Sequence, residues 1–139
     1  MLYGAAVNVL GATNTVAQIG AIAAMRDGSI LKDNHQALER RRRLAYDIFS
    51  TIPSVKIRRS ESGILSWLNV RKLGTAAEVT AWILEHAHVS VNEGTPYGAQ
   101  GEGHIRIVHA CFRDDERAAK ALNRIKDALM ELATKKGIR

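Results

Sequence analysis

The sequence holds one cysteine, Cys111, so no internal disulfide can form. Its neighbours Ala110 and Phe112 suggest a small buried hydrophobe rather than a nucleophile. No apolar run approaches the roughly eighteen residues that a membrane-spanning helix needs. The start, Met1-Leu2-Tyr3-Gly4, lacks the charged flank and apolar stretch of a secretion signal, and both absences point to the cytoplasm. Repeats, low-complexity tracts and linkers are absent too. What remains is a chain of 139 residues, 46% hydrophobic, long enough to bury a core without disulfides or a metal.

A formal net charge of +6 and the run Arg40-Arg41-Arg42-Arg43 raise the question of nucleic acid. Successive residues on a helix fan out by about 100°, so the four arginines spread around the helix and form no stripe. No basic strand with interleaved aromatics accompanies them. The run reads as a solvated helix face, with no nucleic-acid or membrane partner.

Thr13 or Asn14 can cap a helix running to Met25, apolar nearly all round and rich in small residues. Such a helix calls for neighbours on every side. Arg26-Asp27-Gly28 ends it, with Gly28 suited to a left-handed conformation. A second helix is expected from Leu31, Leu38, Ala45 and Ile52, which recur every seven residues and are joined by Ile48 and Phe49 before Pro53. Val55 and Ile57, the turn Ser60-Glu61-Ser62-Gly63 and the stretch Ile64 to Val70 together predict a β-hairpin. Thr75-Ala76-Ala77-Glu78 matches a capping box, with Val79, Ile83 and Ala87 along the helical face behind it.

A short strand from His88 to Val91 is expected to lead into a glycine-rich loop, Asn92 to Gly103, followed by a strand from His104 to Ala110. Asp114 opens the last helix, whose apolar stripe is Ala118, Leu122, Ile125, Leu129 and Leu132. The order of elements predicts an α+β fold: a small, mostly antiparallel sheet covered by helices.

Arg106 is the most informative residue. It stands in the apolar strand His104-Ile105-Arg106-Ile107-Val108, where a guanidinium must find an anionic or polar partner. Its planar fork matches a carboxylate through two parallel hydrogen bonds. An internal salt bridge to Glu78, Glu93 or Glu102 accounts for the pattern equally well, and the residues alone leave both open. The loop Glu93 to Gly103 lacks the Gly-Lys-Ser/Thr ending of a nucleotide loop and leads into a strand, so no helix amino terminus is there to hold phosphate. It reads instead as a rim of close backbone approach, with Tyr97 able to project over a site.

Ser29-Ile30-Leu31-Lys32 spells Ser-x-x-Lys, but it has Lys72-Leu73-Gly74 where a penicillin-binding enzyme needs Lys-Thr-Gly, so Lys32 reads as a surface lysine. His86 and His88 flank a helix end, and His104 and His109 lie at opposite parity in one strand. No metal site is expected from them. Trp67 and Trp82 read as packing residues.

Gly63-Ile64-Leu65-Ser66-Trp67-Leu68, Val89-Ser90-Val91, Gly94-Thr95-Pro96-Tyr97-Gly98 and Gly101-Glu102-Gly103-His104-Ile105-Arg106-Ile107 follow one another in an order that resembles the class I/II aminotransferases of fold type I. Asn14 to Met25 is similar to the helix that follows the cofactor lysine in that family. The resemblance implies a segment 1–29 from the end of the large domain and a small domain at 30–139. It implies that Arg106 grips the substrate's α-carboxylate, with Tyr97 at the substrate site, and that the substrate is a small amino acid or keto acid.

The resemblance also implies pyridoxal 5'-phosphate as the parent enzyme's electron sink, a missing amino-terminal large domain and a homo-oligomer, a homodimer in this family. The Schiff-base lysine belongs before Met1. This chain is therefore expected to bind no cofactor and to be inactive alone. Asn92-Glu93 departs from many members of that family, which have proline and another residue before the glycine. Two alternatives stand beside this reading: part of a pyridoxal-phosphate-dependent carbon–sulfur β-lyase, and a stand-alone α+β module that binds small carboxylates.

Overall fold

The computed structural model describes residues 14–112 and 114–138. The chain divides into two compact units, Met1–Ala37 and Leu38–Arg139. In the first unit, helix α1 (Thr15–Arg26) is capped by the Asn14 side chain, which accepts from the Ala17 N–H at 3.0 Å. Thr13, the other candidate cap, lies outside the described residues. No residue of α1 is buried.

Gly28 is not a left-handed cap. It is the first residue of helix α2 (Gly28–Phe49), because the Asp27 carboxylate accepts from both the N–H and the hydroxyl of Ser29 and so starts a new helix at once. Those two bonds hold the Asp27 carboxyl below its ordinary pKa. The division between the units falls within α2.

The second unit contains the sheet. Strand β1 (Lys56–Ile57) pairs antiparallel with β2 (Leu65–Asn69), and this is the expected hairpin. Helix α3 (Ala76–Ala87) begins at a complete capping box of Thr75 and Glu78. Strands β3 (Asn92–Glu93) and β4 (His104–Val108) complete a four-stranded sheet in the order β1-β2-β4-β3, with every pair antiparallel. Helix α4 (Asp115–Lys135) follows its cap, Asp114, which accepts from the N–H groups of Glu116 and Arg117.

One face of the sheet is covered and the other is open. Leu68, Ile105 and Ile107 point into a core with Ala45 and Phe49 of α2, Val79 and Ile83 of α3, and Leu122, Ile125, Leu129 and Leu132 of α4. Burial of these apolar side chains is the main force holding the layers together, at about 1.5–3 kcal/mol for each large one. The predicted stripe of α4 is buried throughout. The expected α+β class and helix-covered antiparallel sheet are thus what the chain forms.

Four further expectations need correction. Helix α2 ends at Phe49, and Ile52 reaches the core from the turn beyond it, through an Ile52 N–H bond to the Phe49 carbonyl at 3.2 Å. Residues His88 to Val91 are not a strand. His88 caps α3 in the left-handed conformation (φ 51°), and pairing begins only at Asn92, opposite Arg106.

Cys111 is exposed, because the chain leaves the sheet after Val108. The arginine run is not one solvated face either: Arg41 is buried, donating to the Phe112 carbonyl at 2.6 Å and pairing with Asp115. Arg42 is also largely covered and pairs with Glu39.

Candidate functional site

Strand β4 alternates: Ile105 and Ile107 face the core, while His104, Arg106 and Val108 are half-buried on the open face. Register then decides the neighbours. Arg106 lies opposite Trp67 of β2 on one side and Asn92 of β3 on the other. Cross-strand partners have Cβ atoms about 5 Å apart, so the three side chains share one patch.

The Arg106 guanidinium donates from Nη2 to the Asn92 Oδ1 at 2.8 Å, and its Cζ sits 4.8 Å from the centre of the Tyr97 ring. Tyr97 meets Trp67 edge to face, with centroids 5.8 Å apart. His104 also stacks on Trp67, with centroids 5.6 Å apart. Cation–π contact of this kind contributes roughly 0.5–2 kcal/mol and restrains the guanidinium without neutralising it.

The loop that places Tyr97 is compact. After β3 it makes two short 3-10 turns, Thr95–Tyr97 and Ala99–Gly101. Gly94 and Gly101 lie backbone to backbone, so a side chain at either would collide with the other's carbonyl. Gly103 has φ +72° and leaves room for the Arg71 side chain, whose Nε donates to the Glu102 carbonyl at 3.1 Å. The expected close backbone approach is found here.

None of the three candidate carboxylates pairs with Arg106. Glu102 accepts from the N–H groups of Ala76 and Gly103, at 2.9 and 2.8 Å, and so closes the amino end of α3. Glu78 completes the capping box, and its bonds to Thr75 hold its carboxyl below the ordinary pKa. Glu93 faces Ile105 in the register, and no ion pair among the described residues includes Arg106. The Nε of Arg106 is buried with no hydrogen-bond partner. A groove of about 1180 Å³ runs beside this patch, with Asn92 and Arg106 on one wall and the first turns of α4 on the other.

The remaining candidates lie apart from this patch. Trp82 packs, donating to the Ala128 carbonyl at 2.8 Å, with His86 stacked on it. His109 is buried and hydrogen-bonded through Nδ1 to the Ser66 hydroxyl at 2.9 Å. Burial pushes its pKa below the ordinary value. Among the described residues no group of His, Cys, Asp or Glu is arranged to hold a metal, and no helix is long and apolar enough to cross a membrane. Sequence reasoning singled out Arg106 and Tyr97 but missed Asn92 and Trp67 as their partners. The signal for Trp67 was strand parity; Asn92 is placed by cross-strand register, which no local pattern shows.

The side chains on this face fit an anion better than they fit the cofactor. Trp67, Asn92, Tyr97, His104 and Arg106 include no lysine to form an imine and no carboxylate to pair with a pyridine nitrogen. The patch offers donors and an aromatic wall, which suit a carboxylate.

No family model matches the chain. It is 30% identical over 125 residues to an aspartate aminotransferase of Pyrococcus horikoshii, covering 87% of this chain and 32% of that protein. It is 31% identical over 104 residues to a putative cystathionine beta-lyase of Mycobacterium leprae, covering 64% of this chain and 26% of that protein.

Among solved structures, a PLP-bound putative aminotransferase from Clostridium difficile superposes with a TM-score of 0.76 at 28% identity, over 92% of this chain and 34% of that one. The alpha-aminoadipate aminotransferase of Thermus thermophilus shares the fold, with a TM-score of 0.78 at 23% identity over 96% of this chain and 36% of that one. The chain spans about a third of the length of the relatives it matches. On sequence and on fold together, the chain belongs with the carboxy-terminal part of the class I/II, fold-type I aminotransferases.

Proposed function

We propose that this chain supplies the substrate-carboxylate grip of a pyridoxal-phosphate-dependent aminotransferase, which moves an amino group between an amino acid and a 2-keto acid. The observation that carries the reading is Arg106: a half-buried guanidinium on an open sheet face, tied to a neutral amide and paired with no carboxylate among the described residues. Such a cation retains its charge for a ligand, and a carboxylate docked on two of its N–H groups is held in one orientation. Tyr97 lies against the guanidinium and forms the side wall of that site.

In this reading residues 1–29 belong to the end of the large domain and residues 30–139 form the small domain. The Schiff-base lysine and the rest of the cofactor site belong to the large domain, so the chain alone binds no cofactor and does not transaminate. The parent enzyme works as a cytoplasmic homo-oligomer.

A second reading, a carbon–sulfur β-lyase, is favoured by the likeness to the putative cystathionine beta-lyase of Mycobacterium leprae. The test is to assay the parent enzyme for keto-acid exchange and for thiol release from cystathionine, with Arg106→Lys beside the unaltered protein. Arg106→Lys should lower kcat/KM by roughly ten- to a thousand-fold, through loss of one of two parallel bonds. Unchanged kinetics refute the role of Arg106, and thiol release without exchange selects the lyase.

A further inference from the structure

Asn92 lies opposite Arg106 in the sheet register, and among the described residues its Oδ1 is the hydrogen-bond acceptor of the Arg106 guanidinium. Only the Asn92 Oδ1 is used in that contact. The two edges of the guanidinium are in different states. On the edge formed by Nε and Nη2, Nε is buried without a partner and Nη2 is bonded to Asn92. On the other edge, nothing among the described residues pairs with Nη1, and that edge is not enclosed.

We infer that Asn92 is a positioning residue, which fixes the guanidinium so that a carboxylate docks end-on to Nη1 and Nη2, with the Asn92 Nδ2 as a further donor. The inference rests on the carboxylate-binding reading of Arg106. An arginine carries a long flexible stem, and ordering it opposes binding unless the free protein already holds it in place. Two restraints do so here: the Tyr97 ring against the guanidinium plane, and the Asn92 carbonyl on Nη2.

The restraint has to be uncharged. An aspartate at this position would offer an acceptor in the same place, but it would neutralise the arginine and repel the ligand. Asparagine is close to the same shape, directs Nη2 and retains its own N–H groups as donors. Chemistry therefore separates a fold-holding role from a site-holding one: aspartate satisfies the first and defeats the second.

The experiment uses this chain, labelled with ¹⁵N, and follows the Arg106 side-chain N–H signals by NMR. Pyruvate is the probe and pyruvamide its uncharged control. The wild type should bind pyruvate and not pyruvamide, with slowed rotation of the Arg106 guanidinium. Asn92→Ala should speed that rotation and weaken pyruvate binding roughly three- to tenfold, since Asn92 orders the guanidinium while Arg106 still carries the main contact. Asn92→Asp should keep the rotation slow yet lose binding as fully as Arg106→Ala does. Backbone signals of the buried Leu129 report that each variant is folded.

If Arg106→Ala loses binding while both Asn92 variants bind like the wild type, the inference is overturned and the carboxylate reading stands. If binding survives Arg106→Ala, both fall. A wild type with no pyruvate-dependent shift at Arg106 overturns the preset grip, and the parent enzyme's kinetics then decide the role of Arg106 separately.

Discussion

Arg40 and Arg41 are neighbours on α2 that pair with the same residue, Asp115, and the structure assigns them very different weights. The Arg40 side chain is 60% exposed and that of Arg41 is 5% exposed. Arg41 also donates from Nη1 to the Phe112 carbonyl at 2.6 Å, which ties α2 to the segment entering α4.

Truncating Arg41 to alanine removes a charge-assisted bond to that carbonyl, worth about 1.5–3 kcal/mol, and the packing of its buried stem, worth about 1 kcal/mol more. The expected loss is therefore about 2.5–4 kcal/mol. Arg40→Ala breaks a solvent-screened pair and should cost less than about 0.5 kcal/mol. Arg41→Met, which keeps the stem, should recover about 1 kcal/mol. Urea denaturation of this chain measures all three, with the slope of the transition checked for constancy. Equal costs for Arg40→Ala and Arg41→Ala, or a cost for Arg41→Ala under 0.5 kcal/mol on the same scale of exposed pairs, would refute the argument from burial.

Three further outcomes are expected. His109 has a folded-state pKa below its unfolded value of about 6.5, chiefly through burial, so the folded protein takes up fewer protons than the unfolded chain as pH falls. Its contribution is complete above about pH 6.5 and declines below it, and His109→Phe should flatten the melting-temperature profile there relative to wild type; superimposable profiles would count against it. Gly103→Ala should destabilise by about 1–3 kcal/mol, because a side chain at φ +72° meets the Arg71 stem; a change below half the lower figure, in thermal melts, would show that the turn yields. The apolar residues Val16, Ile19, Ile22 and Met25 of α1 are all exposed, so the chain should self-associate; a strictly monomeric species in analytical ultracentrifugation, with α1 protected from hydrogen exchange, would refute this.

Much of the fold was legible because local signals were strong. The Thr75–Glu78 capping box, the Asp114 cap and the aliphatic stripe of α4 each act within a few residues of chain, and each appears where the sequence predicts it. The failures have one physical origin. His88 to Val91 has the composition of a strand, but a strand exists only where a partner is available, and β4 has one to offer only from Asn92 onward. Gly28 looked like a helix end because its freedom suits one; the Asp27 cap instead started a helix there.

The sequence by itself determined that Arg106 sits in an apolar strand after a glycine-rich loop, with a cation that must be answered. It could not choose between an internal salt bridge and an open anion site, since Glu78, Glu93 and Glu102 were all candidate partners. Tertiary structure decided that two of these acids serve the amino end of α3, and that register sets Trp67 and Asn92 on either side of Arg106. The reason is geometric: pairing across strands joins residues far apart in the chain, and no local pattern encodes which ones meet.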